Sequence, residues 1–166
     1  MAVVFADKGK QILSDQVKSL IDDHSVVIAV DMLSLGECIL PNAAFWQYAQ
    51  MVSAVGERSL GIQVAQMGAV MEWACQEFGG DRVSLYGDVW ESGVITIAAS
   101  SIYNDRVASV DIKNCPKTLK KLIEDHTDYE DRPVLFCFGL LEQFDIPELI
   151  ALCSPIKMKI EWQETE

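Results

Sequence analysis

The sequence predicts an α/β fold in which helices cover a parallel sheet, and three features of the hydrophobic pattern support this prediction. Short apolar runs alternate with amphipathic stretches along the 166-residue chain, as in strands joined by helical crossovers. Val26–Val30 is apolar on both faces, which is typical of strands buried in a parallel sheet. Ser59–Phe78 carries apolar residues at helical spacing. We therefore expect five parallel strands with helices on both faces of the sheet.

Each strand is predicted from a short apolar or alternating run, and the helices from amphipathic stretches between these runs. The strands are expected at residues 2–6, 26–30, 82–86, 107–112 and 157–162. The helices are expected at 12–23, 43–53, 59–78, 94–98 after a sharp turn at 87–90, 117–124, and as two short pieces within 135–152 that are separated near Asp145. The first helix should bury one face, formed by Ile12, Leu13, Val17, Leu20 and Ile21. Gly79-Gly80 ends the longest helix, and Pro116 opens a later one.

Composition limits the partners that we expect. The formal net charge of −12 argues against nucleic acid, whose phosphates require a basic surface, and against anionic membranes. No apolar run approaches the roughly 18 residues of a membrane span, and no signal peptide is visible. The abrupt, strand-like start predicts that residues 1–166 are a single domain cut from a longer protein. Other domains of that protein are the expected partners, and its cellular compartment, export included, is left open.

The cysteines and the loops predict neither metal nor cofactor. An odd number of cysteines without a CxxC pair or a Cys/His cluster is typical of buried free thiols; the five are Cys38, Cys75, Cys115, Cys137 and Cys153. Residues 7–10 lack the Ser/Thr/Gly-rich loop that a flavin phosphate would need. Residues 87–93 lack the Lys-Ser/Thr pair of a Walker motif.

Three segments, in chain order, resemble the α/β-hydrolases. Residues 26–38, VVIAVDMLSLGEC, are similar to a strand and loop that this family writes as V-x-A-x-D-x-R-G-x-G-E-S. Residues 59–87 are similar to the helix, strand and Y-G turn that lead to the nucleophile. Residues 132–155, RPVLFCFGLLEQFDIPELIALCSP, resemble a specific stretch of bacterial acetyl-xylan-esterase-like and peptidase-like members, PGLL..FD.PDLAAL.APRP.

The resemblance implies a reduced α/β-hydrolase core. This core would be a three-layer α/β/α sandwich with the flavodoxin-like strand order 2-1-3-4-5, without the family's two extra N-terminal strands and its final strand. Such sheets place a ligand site at the carboxyl ends of the strands, near the change in strand order. We therefore expect a site in the loops after Phe5 and Tyr86, with help from those after Val30 and Ile112.

The family's nucleophile elbow, G-x-S-x-G, is a strained turn that lifts a serine above the sheet. By this resemblance, Gly87 matches the first glycine, Val89 falls on the nucleophile and Glu91 falls on the second glycine. Valine has no nucleophilic atom, so covalent catalysis at this position is impossible. Because a β-branched residue disfavours positive φ, and because Glu91 would crowd the helix packing, we expect the turn to have relaxed.

The remaining family positions are also degenerate. Asp88 and Trp90 complete the degenerate elbow. Trp90 matches the residue whose N–H helps form the oxyanion hole, and a second donor would come from residues 7–9. The catalytic acid would follow residues 157–162, where Glu164 and Glu166 are the only acidic residues. Neither His24 nor His126 matches the family's histidine. The resemblance thus implies no catalytic residue, and it leaves a candidate pocket formed by Asp7, Lys8, Ser34, Trp46, Val89, Trp90 and Ser92.

Other interpretations stay open beside the ordinary structural ones. Ser92 is a displaced nucleophile or a helix residue, and Ser34 with Gly36 and Glu37 is a family remnant or a polar turn. A carboxylate cluster could bind Mg²⁺ or Ca²⁺, although such residues more often cap helices; its members are Asp31, Asp88, Glu91 and Asp111. The acidic residues of 125–131 form a cation-dependent contact or a solvated loop. An aromatic sugar platform would use Trp46, Trp73 and Trp90.

Three functions follow from these observations. The first is a catalytically inactive α/β-hydrolase-like domain with a structural or binding role in a larger protein. The alternative is an acetyl-ester or carbohydrate esterase that needs residues outside this chain. The third is self-association, because the second strand and residues 157–162 would leave open sheet edges that invite a homodimer.

Overall fold

The structure is a computed structural model that describes residues 1–23, 26–39 and 44–163. Strands and helices alternate along these residues, with a 3-10 turn at Lys10–Leu13. The strands are β1 (Ala2–Ala6), β2 (Val27–Ala29), β3 (Val83–Asp88), β4 (Val107–Cys115) and β5 (Lys157–Trp162). The helices are α1 (Ser14–Asp23), α2 (Phe45–Ala54), α3 (Ser59–Phe78), α4 (Trp90–Ile102), α5 (Lys121–Glu124), α6 (Leu140–Gln143) and α7 (Ile146–Leu152).

The five strands form one parallel sheet in the order β2-β1-β3-β4-β5, which confirms the predicted fold class and strand order. The order reverses between β1 and β3, where Phe5 lies beside Gly87 and Ala6 beside Asp88. The carboxyl ends of β1 and β3 therefore lie at the same end of the sheet, and the loops that follow them lead to opposite faces. A crevice at this point is the usual ligand position in open parallel sheets.

Helices lie on both faces of the sheet, but they cover it unequally. With right-handed crossovers, this strand order places α1 on one face and the other described helices on the opposite face. Val4 and Ala6 of β1 pack there with Leu13 and Leu20. The larger core on the opposite face includes side chains of α3, α4 and α7 against β1, β3 and β4. The strands β4 and β5 carry polar side chains on the face where α1 lies, among them Asp111 and Lys159.

The second strand corrects one prediction. Val27–Ala29 is only half-buried, because β2 forms an edge of the sheet and has a neighbour on one side only. The predicted face of the first helix is also only partly right. Leu13 and Leu20 are buried, whereas Ile12 is 51% and Ile21 is 58% exposed. The short β2 and the single helix on this face leave too little surface to cover every apolar residue.

Several element boundaries differ from the sequence predictions. The strand after Arg82 continues to Asp88, so the turn before α4 shrinks to Val89 alone. The helix expected from Lys117 forms only at Lys121–Glu124, and Pro116 therefore does not open it. In contrast, α3 and β5 have the predicted bounds. Residues 24 and 25, 40–43 and 164–166 lie outside the described residues, so the suggestions on His24, Ala43, Glu164 and Glu166 have no structural outcome.

Asp145 explains the predicted break between the last two helices. Its carboxylate accepts hydrogen bonds from the N–H groups of Ile146 (2.8 Å) and Leu119 (2.7 Å). The Glu148 side chain accepts the Asp145 N–H at 3.0 Å, which completes a capping box with Pro147 in the first turn. The stretch from Phe144 to Pro147 therefore starts α7 and joins it to the loop before α5.

All five cysteines are free thiols, as the sequence predicts, but only Cys115 and Cys153 are buried. Cys75 and Cys137 are half-buried, and Cys38 is exposed, which corrects the expectation of five buried thiols. Within the described ranges, every helix is too short or too polar to span a lipid bilayer.

Candidate functional site

A cleft of about 480 Å³ lies at the carboxyl ends of β1 and β3, where the strand order predicts a site. The loop after β1 contributes Asp7 and Lys8, and the turn and helix after β3 contribute Val89 and Glu91. Four of the seven residues predicted for the candidate pocket line this cleft, namely Asp7, Lys8, Ser34 and Val89. The cleft has both charged and apolar walls, which suits a small polar molecule.

Val89 forms a strained elbow between the end of β3 and the start of α4. Val89 has φ 78° and ψ −167°, a conformation that is almost restricted to glycine. The expectation of a relaxed turn is therefore wrong. The neighbouring structure fixes the residue on both sides, since the Val89 N–H donates to the carbonyl of Lys113 at 2.9 Å and its carbonyl accepts the Gly93 N–H at 3.1 Å.

Two glycines allow α4 to pack against the sheet directly behind the elbow. A Cβ added at Gly87 would lie 2.8 Å from Thr96 Oγ1 and 3.0 Å from the carbonyl oxygen of Ser92. One added at Gly93 would lie 3.1 Å from Ile112 Cγ2. The closest approach is thus at Gly87 and Gly93, and Glu91 does not crowd it. Because Glu91 points into the cleft, its side chain needs no space between helix and sheet.

The Asp7 carboxylate occupies the N-terminus of α4. It accepts hydrogen bonds from the N–H groups of Glu91 (3.0 Å) and Ser92 (2.7 Å), and it contacts Ser92 Oγ at 2.8 Å. In an active nucleophile elbow, the N–H of the residue after the nucleophile, which corresponds to Trp90, stabilises the negative charge of a reaction intermediate. Asp7 accepts the next two N–H groups of α4 and brings a negative charge to the same helix end, which disfavours a second anion there.

Glu91 and Arg132 give the cleft its electrostatic character. Burial, and secondly the nearby Asp7 carboxylate, raise the pKa of Glu91 to about 7, while Arg132 partly opposes this rise. The Arg132 guanidinium lies 3.8 Å from Asp7 and 4.7 Å from the ring centroid of Trp90. Glu91 can therefore exchange a proton near neutral pH, which is a property of many functional carboxyl groups.

Asp31 holds the loop after β2 beside the cleft. The Asp31 carboxylate accepts hydrogen bonds from the N–H groups of Lys10 (2.7 Å) and Glu37 (3.1 Å) and pairs with the Lys10 ammonium (3.4 Å). Burial alone would raise the pKa of Asp31, but these hydrogen bonds and the ammonium outweigh it and keep the pKa below its ordinary value. Ser34, with φ 57°, lines the cleft from this loop.

The other three predicted pocket residues do not line the cleft. Ser92 is fully buried, and its hydroxyl contacts Asp7 and the carbonyl of Asp88. Trp90 is also buried, with Nε1 donating to the Gln163 side chain at 2.6 Å and with Arg132 over its ring. Trp46 is half-buried on α2 and is not among the residues that line the cleft.

The aromatic platform and the carboxylate cluster do not assemble. Trp73 is 49% exposed on α3 and packs edge-on against Phe78, 5.6 Å between centroids. Asp111 pairs with Lys159 at 3.4 Å, and Asp88 accepts a hydrogen bond from Asn114 at 3.3 Å. In the part of the chain that the structure describes, no group of three or more His, Cys, Asp or Glu side chains could hold a metal ion.

Sequence reasoning missed the wall of the cleft that follows β4. Thr127, Asp131 and Arg132 line it, and Leu35 adds an apolar contact from the loop after β2. The acidic stretch 125–131 was interpreted as a solvated loop or a cation contact, and no local pattern indicates that it folds towards the elbow. A separate apolar pocket of about 140 Å³ lies away from the elbow and has Leu122, Leu135 and Phe138 in its wall.

Fold and site together define an α/β protein with a flavodoxin-like strand order and a cleft above an elbow-shaped turn. A comparison with family models, curated proteins and solved structures finds no significant match.

Proposed function

We propose that this chain is a non-catalytic α/β-hydrolase-like domain that has a structural or binding role in a larger protein. The observation that carries the proposal is the α4 N-terminus, where Asp7 accepts the N–H groups of Glu91 and Ser92 beneath an elbow that presents Val89. Val89 offers no nucleophile, and the Asp7 carboxylate at the helix end opposes the negative charge that would develop on the carbonyl oxygen of a bound ester.

The neighbourhood of the elbow gives the proposal further support. Ser92 is the nearest hydroxyl along the helix, but it is fully buried and hydrogen-bonded beneath the turn. His126 does not belong to the cleft lining. The cleft therefore has the volume of a binding site, whereas its lining lacks the nucleophile-base pair of the triad mechanism.

A fluorophosphonate probe tests this proposal, because it forms a covalent bond with activated serines. We expect no adduct in the intact mass of the wild-type chain while an active serine esterase in the same tube is labelled. The matched variant Val89→Ser should also remain unlabelled, because no histidine is among the described residues that line the cleft and Asp7 places a negative charge at the helix end. Stoichiometric labelling of the wild type would overturn the proposal.

An esterase remains a second candidate because of one observation, the Glu91 carboxyl with its pKa of about 7 in the cleft. As a general base, Glu91 would take a proton from a water molecule that attacks an acetyl ester, and the alcohol would leave with a proton returned by the same carboxyl group. Lys8 and Arg132 on the cleft wall would face the negative charge that develops on the carbonyl oxygen.

Hydrolysis of p-nitrophenyl acetate separates the two candidates. The esterase candidate expects a rate above buffer that is lost in Glu91→Gln and retained in Ser92→Ala, since Ser92 is buried. The non-catalytic proposal expects the same rate as buffer for all three proteins. A rate above buffer that Glu91→Gln leaves unchanged would count against the esterase mechanism through Glu91.

A further inference from the structure

The sheet ends in β5, whose outer side has no neighbouring strand among the described residues. Just beyond this strand, the Gln163 N–H donates inward to the carbonyl of Cys115 at 2.9 Å. Peptide groups of consecutive residues in a strand point to opposite sides. The N–H and C=O groups of Met158, Ile160 and Trp162 therefore point outward, where they can pair with another strand.

The two faces of β5 carry different side chains. Lys159 and Glu161 share the polar face, with 3.5 Å between Nζ and Oε1, and Lys159 also lies 3.4 Å from Asp111. Met158 and Ile160 point to the opposite face and pack partly against the main core. By the period of two, Trp162 shares this apolar face, and it is 38% exposed. The edge thus offers a short pattern of alternating apolar and charged residues.

We propose that β5 pairs antiparallel with β5 of a second copy of this chain, about a two-fold axis that passes beside Ile160. The two Ile160 residues then exchange backbone hydrogen bonds, and the outward peptide groups of Met158 meet those of Trp162 from the other copy. Lys159 lies opposite Glu161 of the other copy, twice by symmetry. These charged residues form a non-hydrogen-bonded pair, in which side chains lie closest.

The charges select this register among its neighbours. An axis beside Lys159 would oppose two ammonium groups, and an axis beside Glu161 would oppose two carboxylates. Directly opposed like charges destabilise antiparallel strands. An axis beside Lys159 would also set Lys157 opposite Glu161 twice, but it opposes the two Lys159 ammonium groups. Only the axis beside Ile160 gives two attractive pairs without opposed like charges on the polar face, and it joins the apolar side chains of the two copies on the other face.

The other sheet edge is a poorer partner. β2 spans only Val27–Ala29, whereas β5 spans six residues, and very short edge strands are a common protection against pairing. Two paired β5 strands bury less than the roughly 1,200 Å² typical of stable interfaces, and the net charge of −12 repels the copies. The expected complex is therefore a reversible dimer that forms at roughly 100 µM protein. The inference does not depend on the proposed function.

Sedimentation velocity between about 5 and 200 µM, at about 0.15 M salt, tests the register. The wild type should shift from monomer to dimer. Lys159→Glu places carboxylates opposite each other and Glu161→Lys places ammonium groups opposite each other, so each single variant should raise the dimer Kd at least tenfold. The double variant should dimerise like the wild type, and an equimolar mixture of the two single variants should form the heterodimer.

Controls separate this pairing from general charge effects and from unfolding. Lys18→Glu on α1 has the same charge change as Lys159→Glu, at a side chain that is 76% exposed, and should dimerise like the wild type. Glu161→Lys lowers the net negative charge, so a general repulsion would predict stronger association, opposite to our expectation. A wild type that stays monomeric at 200 µM, or single variants that dimerise as well as the wild type in a folded state, would overturn the proposal.

Discussion

Val89 adopts a backbone conformation that its own side chain disfavours. Hydrogen bonds to Lys113 and Gly93 hold its φ at 78°. The close packing of α4 against Gly87 also fixes the position of the helix. Strain of this kind costs of order 1–3 kcal/mol and persists only where the surroundings fix it. The turn is consequently determined by the sheet and α4 around it, and the conformational preference of valine is overruled.

This strain predicts an inverted order of stabilities at position 89. Val89→Gly should be more stable than Val89→Ala by about 1 kcal/mol, because only glycine adopts this φ and ψ without strain. Both variants remove the packing of the valine methyl groups, so the difference between their unfolding free energies reports the backbone strain. The free energy of unfolding in urea measures it.

The exposed Glu72 on α3 is the matched control for this pair. At an ordinary helix position alanine should be more stable than glycine by about 1 kcal/mol. If alanine is also the more stable residue at position 89, the strain argument fails.

Glu91 predicts a pH-dependent stability that a neutral isostere removes. Its pKa rises from 4.5 to about 7 on folding, so the folded state binds the proton more tightly than the unfolded state. The contribution of Glu91 to stability therefore falls as the pH rises from about 4.5 to 7. A shift of this size corresponds to about 3 kcal/mol.

The variant Glu91→Gln should match the wild type in unfolding free energy near pH 4 and exceed it by up to about 3 kcal/mol at pH 8. Urea unfolding of both proteins across this pH range measures the difference, so pH effects of other groups cancel. A difference that stays constant with pH would show that the carboxyl titrates normally.

At the scale of elements, long-range caps decide how helices join the sheet. Asp7 follows β1 and caps α4, which lies 84 residues further along the chain. Asp145 caps its own helix, and its carboxylate also accepts the N–H of Leu119, 26 residues before it. The N-cap of α4 is Val89, whose side chain cannot accept a hydrogen bond, and Asp7 takes over this function from a distant part of the chain.

Removing the Asp7 cap should destabilise the protein. Asp7→Ala leaves the N–H groups of Glu91 and Ser92 without their acceptor, so we expect a loss of about 2 kcal/mol. Asp7→Asn keeps an amide oxygen as acceptor and should lose less. Asp105→Ala, at a side chain that is 76% exposed, is the control and should change stability by no more than about 0.5 kcal/mol. If Asp7→Ala and Asp105→Ala lose the same unfolding free energy, in thermal or urea unfolding, the cap does not stabilise the protein.

At the scale of the whole molecule, the strand order distributes cover unequally between the two faces of the sheet. One change of direction, between β1 and β3, leaves α1 alone on its face. The strands beyond α1 carry Ser109, Asp111 and Lys159 on this face, and these side chains tolerate water. The burial of the cysteines reflects the same distribution, since Cys115 and Cys153 belong to the core on the opposite face.

The reactivity of these cysteines reports on the whole fold. Burial raises the pKa of Cys115 to about 12 and that of Cys153 to about 11, whereas Cys38 is exposed. Because the thiolate is the reactive form, we expect a single fast-reacting thiol with a disulfide reagent at pH 8. Cys38→Ser should remove this fast phase, and all five thiols should react in denaturant. A fast phase that persists in Cys38→Ser would show that a second thiol is accessible and would contradict this prediction.

Much of the fold and part of the site could be predicted from local patterns. The helix Ser59–Phe78 and the strand Lys157–Trp162 have the predicted bounds, because a long apolar stripe and a clean alternation are strong local signals. The short α5 could not be bounded in this way, since four residues contain little more than one turn. Arg132 could not be placed in the cleft, because its position depends on the path of the irregular loop before it.

The sequence by itself determined the alternation of strands and helices and the valine in the turn between β3 and α4, because both depend on residue types along the chain. Only the tertiary structure decided that Val89 keeps a strained turn, that Asp7 caps α4 and that Glu91 lies near Arg132 in a common cleft. The physical reason is that hydrogen bonds and burial between distant segments set these features, and they overrule the local preferences of valine and of glutamate.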